Sequence, residues 1–394
     1  MNQLNQLNQA FKDLQHPFAW VDLGELDRNI TTLSLQSKQK RVRIATKSIR
    51  SLEMLKYLSE NVPCFTGWMT FTAEETVFLA ENGLDHFLLG YPTLEEGAVR
   101  ELCQHVKNGK DITFMVDHLE QAGWLNKIAS SEEVHLKICV DLNLSLPTPF
   151  LYFGTRRSSI QTIEQFDLLI EQLTAMKNLK IAGLMGYEAQ IAGVGNNPSS
   201  SFKGMIIRSL QKRSKNKIMR FRKQVAIHLK KSGLSVEFVN GGGTGSIEYT
   251  AQSDEVTEVT IGSGYFKPAL FDYYRDSKLK PAAGFALRVT RKPMEDTIVC
   301  HGGGYLASGT ADLDRLPVIV SPNLQFYSTE GAGEVQTPLK MTSSKSTYSI
   351  GDNIYFRHAK SGELCERFNE IHLVRLGKYK GSFKTYRGDG KCFL

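Results

Sequence analysis

Lys47 closes an apolar run, Val42-Arg43-Ile44-Ala45-Thr46, and is followed by Ser48. A lysine at the end of a buried strand is costly unless it is paired or used chemically. Desolvation lowers the pKa of such an amine and makes it a competent nucleophile. Two stretches rich in glycine and hydroxyl groups lie far downstream: Asn240-Gly241-Gly242-Gly243-Thr244-Gly245-Ser246 and Gly262-Ser263-Gly264-Tyr265. Glycines let backbone N–H groups approach an anion, and Thr or Ser hydroxyls add donors. The two stretches read as phosphate-binding loops; tight turns are the plainer alternative. Neither carries the GK[ST] of a P-loop or the dinucleotide spacing. His301-Gly302-Gly303-Gly304 looks like an oxyanion loop, but no GxSxG accompanies it, so it reads as a turn. Two further polar stretches each follow an apolar run: Asp141-Leu142-Asn143 and Tyr187-Glu188-Ala189-Gln190.

Short apolar runs followed by polar or glycine-rich ends predict eight strands: Val42–Thr46, Cys64–Met69, His86–Leu89, Ile112–Val116, Leu136–Val140, Ile181–Gly186, Glu237–Asn240 and Glu258–Ile261. Helical patterns separate them, with Thr72 as one cap and Thr93 with Glu96 as a capping box. Strand–helix alternation indicates parallel strands with crossover helices. Eight units over residues 25–275 predict a (β/α)8 TIM-type barrel, with a doubly wound open sheet as the alternative. From about Pro281 the pattern changes to short alternating strands with glycine turns, which predicts a β-rich C-terminal domain over 276–394. The strand-like residues 17–23 precede the barrel and are expected to join that domain. Gly331–Gly333 and Ser343–Ser346 read as mobile loops.

The chain has 394 residues, 41% hydrophobic and 23% charged, which excludes intrinsic disorder for most of it. No apolar run reaches the roughly 18–20 residues of a membrane span. The polar amino-terminal stretch lacks a signal core, so a cytoplasmic protein is expected. Six scattered cysteines without a CxxC do not form a disulfide framework. The net charge of +7 is concentrated between Lys203 and Lys231, where eleven Lys and Arg residues occur with no acid. A solvated helix face is expected there, with Ile206, Ile207, Leu210, Ile218, Phe221, Val225 and Leu229 turned inward. An anionic membrane surface or nucleic acid is the sharper alternative. Nothing else in the chain supports nucleic-acid readout.

In a barrel of this kind function sits at the carboxyl ends of the strands, with a phosphate cup after strands seven and eight. A lysine at one side of that mouth and a phosphate cup at the other suggest pyridoxal phosphate held as a Schiff base. Cofactor-free aldolases share the pattern. The motifs add a resemblance. FAWVDLGELDRNI, VRIATKSIRS, LMGYEAQIAG, VNGGGTGS and TIGSGYF are similar, in this order, to segments of the fold-type III pyridoxal-phosphate enzymes. That group includes alanine racemase, D-threonine aldolase and D-serine dehydratase. RHAKSGELCERF and TYRGDGKCFL resemble segments of the bacterial amino-acid deaminase/aldolase branch.

The resemblance implies a lyase acting on a D-hydroxy amino acid, with an amino-acid racemase or a cofactor carrier as rivals. Lys47 would form the Schiff base and act as a base on the substrate. Gly242, Gly243, Thr244, Gly262, Ser263 and Tyr265 would hold the phosphate, and Tyr187 and Gln190 would lie beside the ring. Several members place an arginine near Asp141 and Asn143, which this sequence lacks there. A racemase would need a second base, for which Tyr305 is a candidate. The lyases use a divalent metal such as zinc or manganese. The short ligand pair of the family is absent here, since Ala359 and Lys360 follow His358, and Cys365 is the substitute expected. A homodimer is also implied.

Overall fold

The computed structural model describes residues 3–310, 312–343 and 347–394. Residues 344–346 of the loop read at Ser343–Ser346 therefore lie outside the described residues. The chain opens with helix α1 (Gln3–Ala10), strand β1 (Phe18–Asp22) and helix α2 (Leu23–Gln36). Eight parallel strands then close into a barrel in chain order: β2 (Arg41–Ala45), β3 (Phe65–Thr70), β4 (Phe87–Leu89), β5 (Ile112–Val116), β6 (Leu136–Asp141), β7 (Leu179–Gly186), β8 (Phe238–Gly241) and β9 (Glu258–Ile261). Strand β9 pairs back onto β2 through Val259↔Val42 and Ile261↔Ile44.

Alternation along each strand explains the closure. On β2, Val42 and Ile44 join the apolar layer beneath the helices. Arg43, between them, is also buried and makes two bonds to Glu258 on β9, from Nε at 2.8 Å and Nη2 at 3.0 Å. Leu88, Met115, Cys139, Met185 and Phe238 form a separate small apolar cluster. Cys139 is thus a small core residue.

The crossover helices include α3 (Leu52–Asn61), α4 (Ala73–Glu81), α5 (Glu96–Lys107), α6 (Leu119–Ser131) and α7 (Ile163–Thr174). Thr72 caps α4 by accepting from the Glu75 N–H at 3.1 Å. The capping box expected at Thr93 is not formed. Thr93 Oγ1 accepts from the Glu95 N–H at 3.2 Å, the helix starts later, and Glu96 pairs with Arg100 one turn on.

After β7 come a short helix α8 (Ala189–Ala192) and the 31-residue helix α9 (Ser201–Lys231). Ile218, Phe221, Val225 and Leu229 of α9 face inward as expected. Ile206 does not; it is 43% exposed. The first half of α9 packs through Gly204, Gln211 and Ser214 instead, because it leans on the polar backbone around α8.

A second sheet, nine-stranded among the described residues, is built from the C-terminal part of the chain. Strand β1 enters it between Ala283–Met294, to which it is antiparallel, and Glu370–Arg375, to which it is parallel. The amino-terminal strand therefore ties the two parts together before the barrel begins.

Candidate active site

Lys47 sits on a single 3₁₀ turn, Thr46–Ser48, at the carboxyl end of β2. The turn is held from three sides. Thr46 Oγ1 donates to Met69 O at 3.1 Å and to Glu75 Oε2 at 2.9 Å. Arg50 Nε donates to the Lys47 carbonyl at 3.0 Å and Arg50 Nη1 pairs with Glu366 at 2.8 Å. Helix α10 (Ile247–Thr250) lies under the glycine loop, whereas α11 (Ser361–Leu364), from the second domain, packs onto the Lys47 turn through Gly362. Tyr386 completes the clamp: its N–H donates to Arg50 O at 2.9 Å and its hydroxyl to Glu75 Oε1 at 2.7 Å. Glu75 is fully buried, and burial pushes its carboxyl up to about 7.

The Lys47 ammonium donates to the Tyr91 hydroxyl, which follows β4, and lies 5.1 Å from that ring's centroid. Its side chain is exposed in the barrel mouth rather than enclosed by apolar groups. The cost expected of a buried amine is avoided because the 3₁₀ turn lifts Lys47 clear of the strand.

One cavity of about 470 Å³ fills the mouth. Lys47, Tyr187, Gly242, Gly243, Thr244, Gly262 and Ser263 all line it. Thr244 Oγ1 accepts from the Gly264 N–H at 2.9 Å, which joins the two glycine loops. Ser48 and Ser263 hydroxyls are 3.1 Å apart. The N–H groups of Gly243, Thr244 and Ser263 take no partner among the described residues, so these donors are available to an anion. A Cβ at Gly262 would stand 2.7 Å from Ser48 Oγ, and one at Gly243 would stand 2.9 Å from the Tyr187 ring. Glycine is therefore required for the close approach at both.

Gly242 behaves differently. Its N–H donates at 2.8 Å to Glu188 Oε2, behind the loop. Glu188 also accepts from Thr250 Oγ1 at 2.8 Å and Ser246 Oγ at 3.3 Å, and it pairs with Arg222 of α9. Both members of that ion pair are buried.

Three predicted residues stand away from the cavity. Gln190 is buried and donates from Nε2 to Leu144 O at 2.7 Å and Ser214 Oγ at 2.6 Å, so it bridges α8 to α9. Tyr265 is fully buried in the hydrophobic core, where burial pushes its hydroxyl far up. Its carbonyl accepts from Asn29 Nδ2 at 2.9 Å, and Asn29 also bonds Lys280 N and O. Tyr305 packs on Phe285 and Phe368 and does not line the mouth of its own chain.

Several lining groups escaped the sequence reading. Tyr91 and Asp117 follow strands whose ends were not read for chemistry. Arg157 returns to the mouth on the excursion after β6. Ser158 Oγ donates to Asp141 O and Ser159 Oγ to Asp117 O, each at 2.6 Å, and these bonds pin that excursion. Burial, helped by the Asp117 carboxylate, pushes Asp141 up to about 7, against the pull of Arg157. Burial pushes the Tyr187 hydroxyl up to about 12.

The family profile described as alanine racemase, N-terminal domain, matches residues 21–268. The chain belongs to that family. Among curated relatives, 3-hydroxy-D-aspartate aldolase of Paracoccus denitrificans (strain Pd 1222) is 24% identical over 270 residues, 68% of this chain. The match spans 64% of that relative's length. Among solved structures, D-threonine aldolase from Filomicrobium marinum superposes with a TM-score of 0.81 at 17% identity, covering 97% of each chain. D-threo-3-hydroxyaspartate dehydratase from Delftia sp. HT23 gives 0.76 at 15% identity, covering 95% of this chain and 98% of that one. The alanine racemase N-terminal family implies pyridoxal phosphate. The mouth fits that group: a reachable amine, free backbone donors, paired serine hydroxyls and an aromatic wall share one cavity.

The metal expected at His358 and Cys365 does not fit. No group of three His, Cys, Asp or Glu side chains able to hold a metal occurs among the described residues. Cys365 is fully buried in the hydrophobic core. His358 Nδ1 is engaged with the backbone of Lys360. The longer spacing between the two residues is taken up by α11, which serves the Lys47 turn instead.

Proposed function

We propose that this chain is a pyridoxal-phosphate-dependent lyase acting on a D-configured β-hydroxy amino acid, with Lys47 as the cofactor-binding lysine. The observation that carries the reading is the shared cavity, in which the Lys47 amine and the unpaired N–H groups of Gly243, Thr244 and Ser263 face one space. When bound, the cofactor supplies an electron sink for charge developing at the substrate's α-carbon. The chain's own groups supply the rest.

The glycine loops would hold the phosphate through backbone donors and the Ser48 and Ser263 hydroxyls. Tyr187 would wall the ring on the side of Gly243. Tyr91 keeps its hydroxyl oxygen against the Lys47 amine and so orients it in the mouth. Asp141 titrates near neutrality and lines the same cavity, which suits it to hold or release a proton. Whether the hydroxyl leaves or the Cα–Cβ bond breaks depends on which bond is held perpendicular to the ring.

Borohydride reduction of cofactor-loaded protein, followed by peptide mapping, is the test. A pyridoxyl label on Lys47, with pyruvate from D-serine or glycine from D-threonine, is the expected result. A label on another lysine, or none after cofactor is added, overturns the reading.

A further inference from the structure

Helix α9 carries eleven Lys and Arg residues and no acid, and the mouth uses few of them. Arg222 pairs with Glu188 inside the barrel wall. Lys217 and Arg208 are spent on the carbonyls of Ser145 and Asn196. The rest of the helix has an outward face about 46 Å long at 1.5 Å per residue.

At about 100° per residue, the inward positions Gln211, Ser214, Ile218, Phe221, Val225 and Leu229 share one side. Away from them lies a sector about 100° wide that runs the length of the helix, its Arg213–Arg220–Gln224 edge bordering a groove shared with the start of α7. It holds Arg213, Arg220, Lys223 and Lys231, all exposed, none with an ion-pair or hydrogen-bond partner among the described residues. The same sector holds Phe202, Met205, Ile206 and Ile227, exposed by 69, 56, 43 and 53%. Ser209, Asn216 and Gln224 fill the remaining positions.

We propose that this face of α9 docks on an anionic lipid surface. Both kinds of side chain must find a use at once. A bilayer interface accepts them together: the apolar side chains enter between headgroups and the cations meet lipid phosphates and carboxylates. A nucleic-acid backbone would satisfy the cations but leave Phe202, Met205 and Ile206 against phosphate or water. A second copy applied symmetrically through this face would bring like charge against like. No helix among the described residues is long and apolar enough to cross a membrane, so the contact is peripheral.

The test is sedimentation of the cofactor-loaded full chain with vesicles of phosphatidylcholine alone and of phosphatidylcholine with one-third phosphatidylserine, at physiological salt. The expected result is pelleting with the anionic vesicles only. Each cation near such a surface contributes about fivefold in affinity, so R213Q/R220Q/K223Q lowers partitioning roughly a hundredfold. M205S/I206S weakens binding with the charge unchanged. Both variants keep the melting temperature and cofactor absorbance of the parent, since all five side chains are exposed. The proposal is overturned by no pelleting with anionic vesicles. It is equally overturned by tighter binding to a DNA duplex that M205S/I206S does not alter. A change of oligomeric mass in M205S/I206S with vesicle binding intact would assign the apolar positions to a second copy and sink it too.

Discussion

Gly362 is the contact through which the second domain touches the Lys47 turn. A Cβ built there would stand 1.8 Å from the Lys47 carbonyl oxygen and 3.0 Å from Ser48 Cα. Its φ is not in the left-handed region, so alanine meets no backbone strain at this position. Gly362→Ala therefore acts through one collision. To reach an ordinary contact the two backbones must separate by roughly 1.5 Å, because repulsion rises steeply inside van der Waals distance. The Lys47 carbonyl also accepts from Arg50, so the shift strains the Arg50–Glu366 pair as well.

A misplacement of about 1 Å at a reacting group can cost about a hundredfold in rate. Overpacking of this kind costs about 1–3 kcal/mol of stability. We expect Gly362→Ala to lower kcat/KM by about two orders of magnitude while the chain remains folded. Reductive labelling of Lys47 should fall in parallel. Steady-state kinetics on whichever D-hydroxy amino acid is turned over, a thermal melt and quantitative label mapping give the three readings. Gly97→Ala is the control: it lies in α5 with nothing within 4 Å of the added Cβ. It should be neutral or slightly stabilising. Parental rate and labelling in Gly362→Ala would refute the claim that α11 sets the position of Lys47.

Asp141→Asn removes a carboxyl that titrates at about 7, so the kcat/KM profile should lose its limb near neutrality; an unchanged limb assigns it to another group. Arg222→Met leaves Glu188 buried without its counter-charge, and should cost about 3–5 kcal/mol in urea unfolding. Cofactor affinity, read by absorbance titration, should fall further than Glu188→Gln lowers it. Glu75 has its carboxyl raised from 4.5 to about 7 by burial, so the folded chain binds this proton more tightly than the unfolded chain. The stability it contributes is complete below about pH 4.5 and is lost as pH rises through 7. Between those limits parental stability should fall by about 3 kcal/mol relative to Glu75→Gln, whose amide has no such titration.

The barrel was legible because each strand is an apolar run bounded by turn residues, and a parallel strand buried on both faces has no other appearance. The loop residues were legible by type and less so by direction. Gly262 and Ser263 face the mouth, yet Tyr265, two positions on, turns into the core. Gln190 lies three residues past Tyr187, but one short turn of helix points it at α9. Sequence adjacency to a site does not fix which way a side chain leaves the backbone. Ile206 failed for a related reason: periodicity marks an apolar residue without saying whether the first half of a long helix is covered. Glu188 was hidden because a carboxylate behind a phosphate loop runs against simple charge logic.

That arrangement has a physical rationale in its partners. An anion beneath the loop should oppose a phosphate above it. Here the Glu188 carboxylate is paired with Arg222, and it also accepts from Gly242 N, Ser246 and Thr250. Its charge is therefore spent inward, on the very groups that shape the loop. It holds the Gly242 N–H back, at a φ of +91°, while the next two residues line the cavity with N–H groups that have no partner among the described residues. Glycine is the residue that tolerates this conformation. Arg222 comes from the same basic run as the exposed Arg213, Arg220, Lys223 and Lys231, so α9 divides these cations between two tasks. One guanidinium neutralises the carboxylate that shapes the loop, and the outward ones remain to meet an external anionic surface.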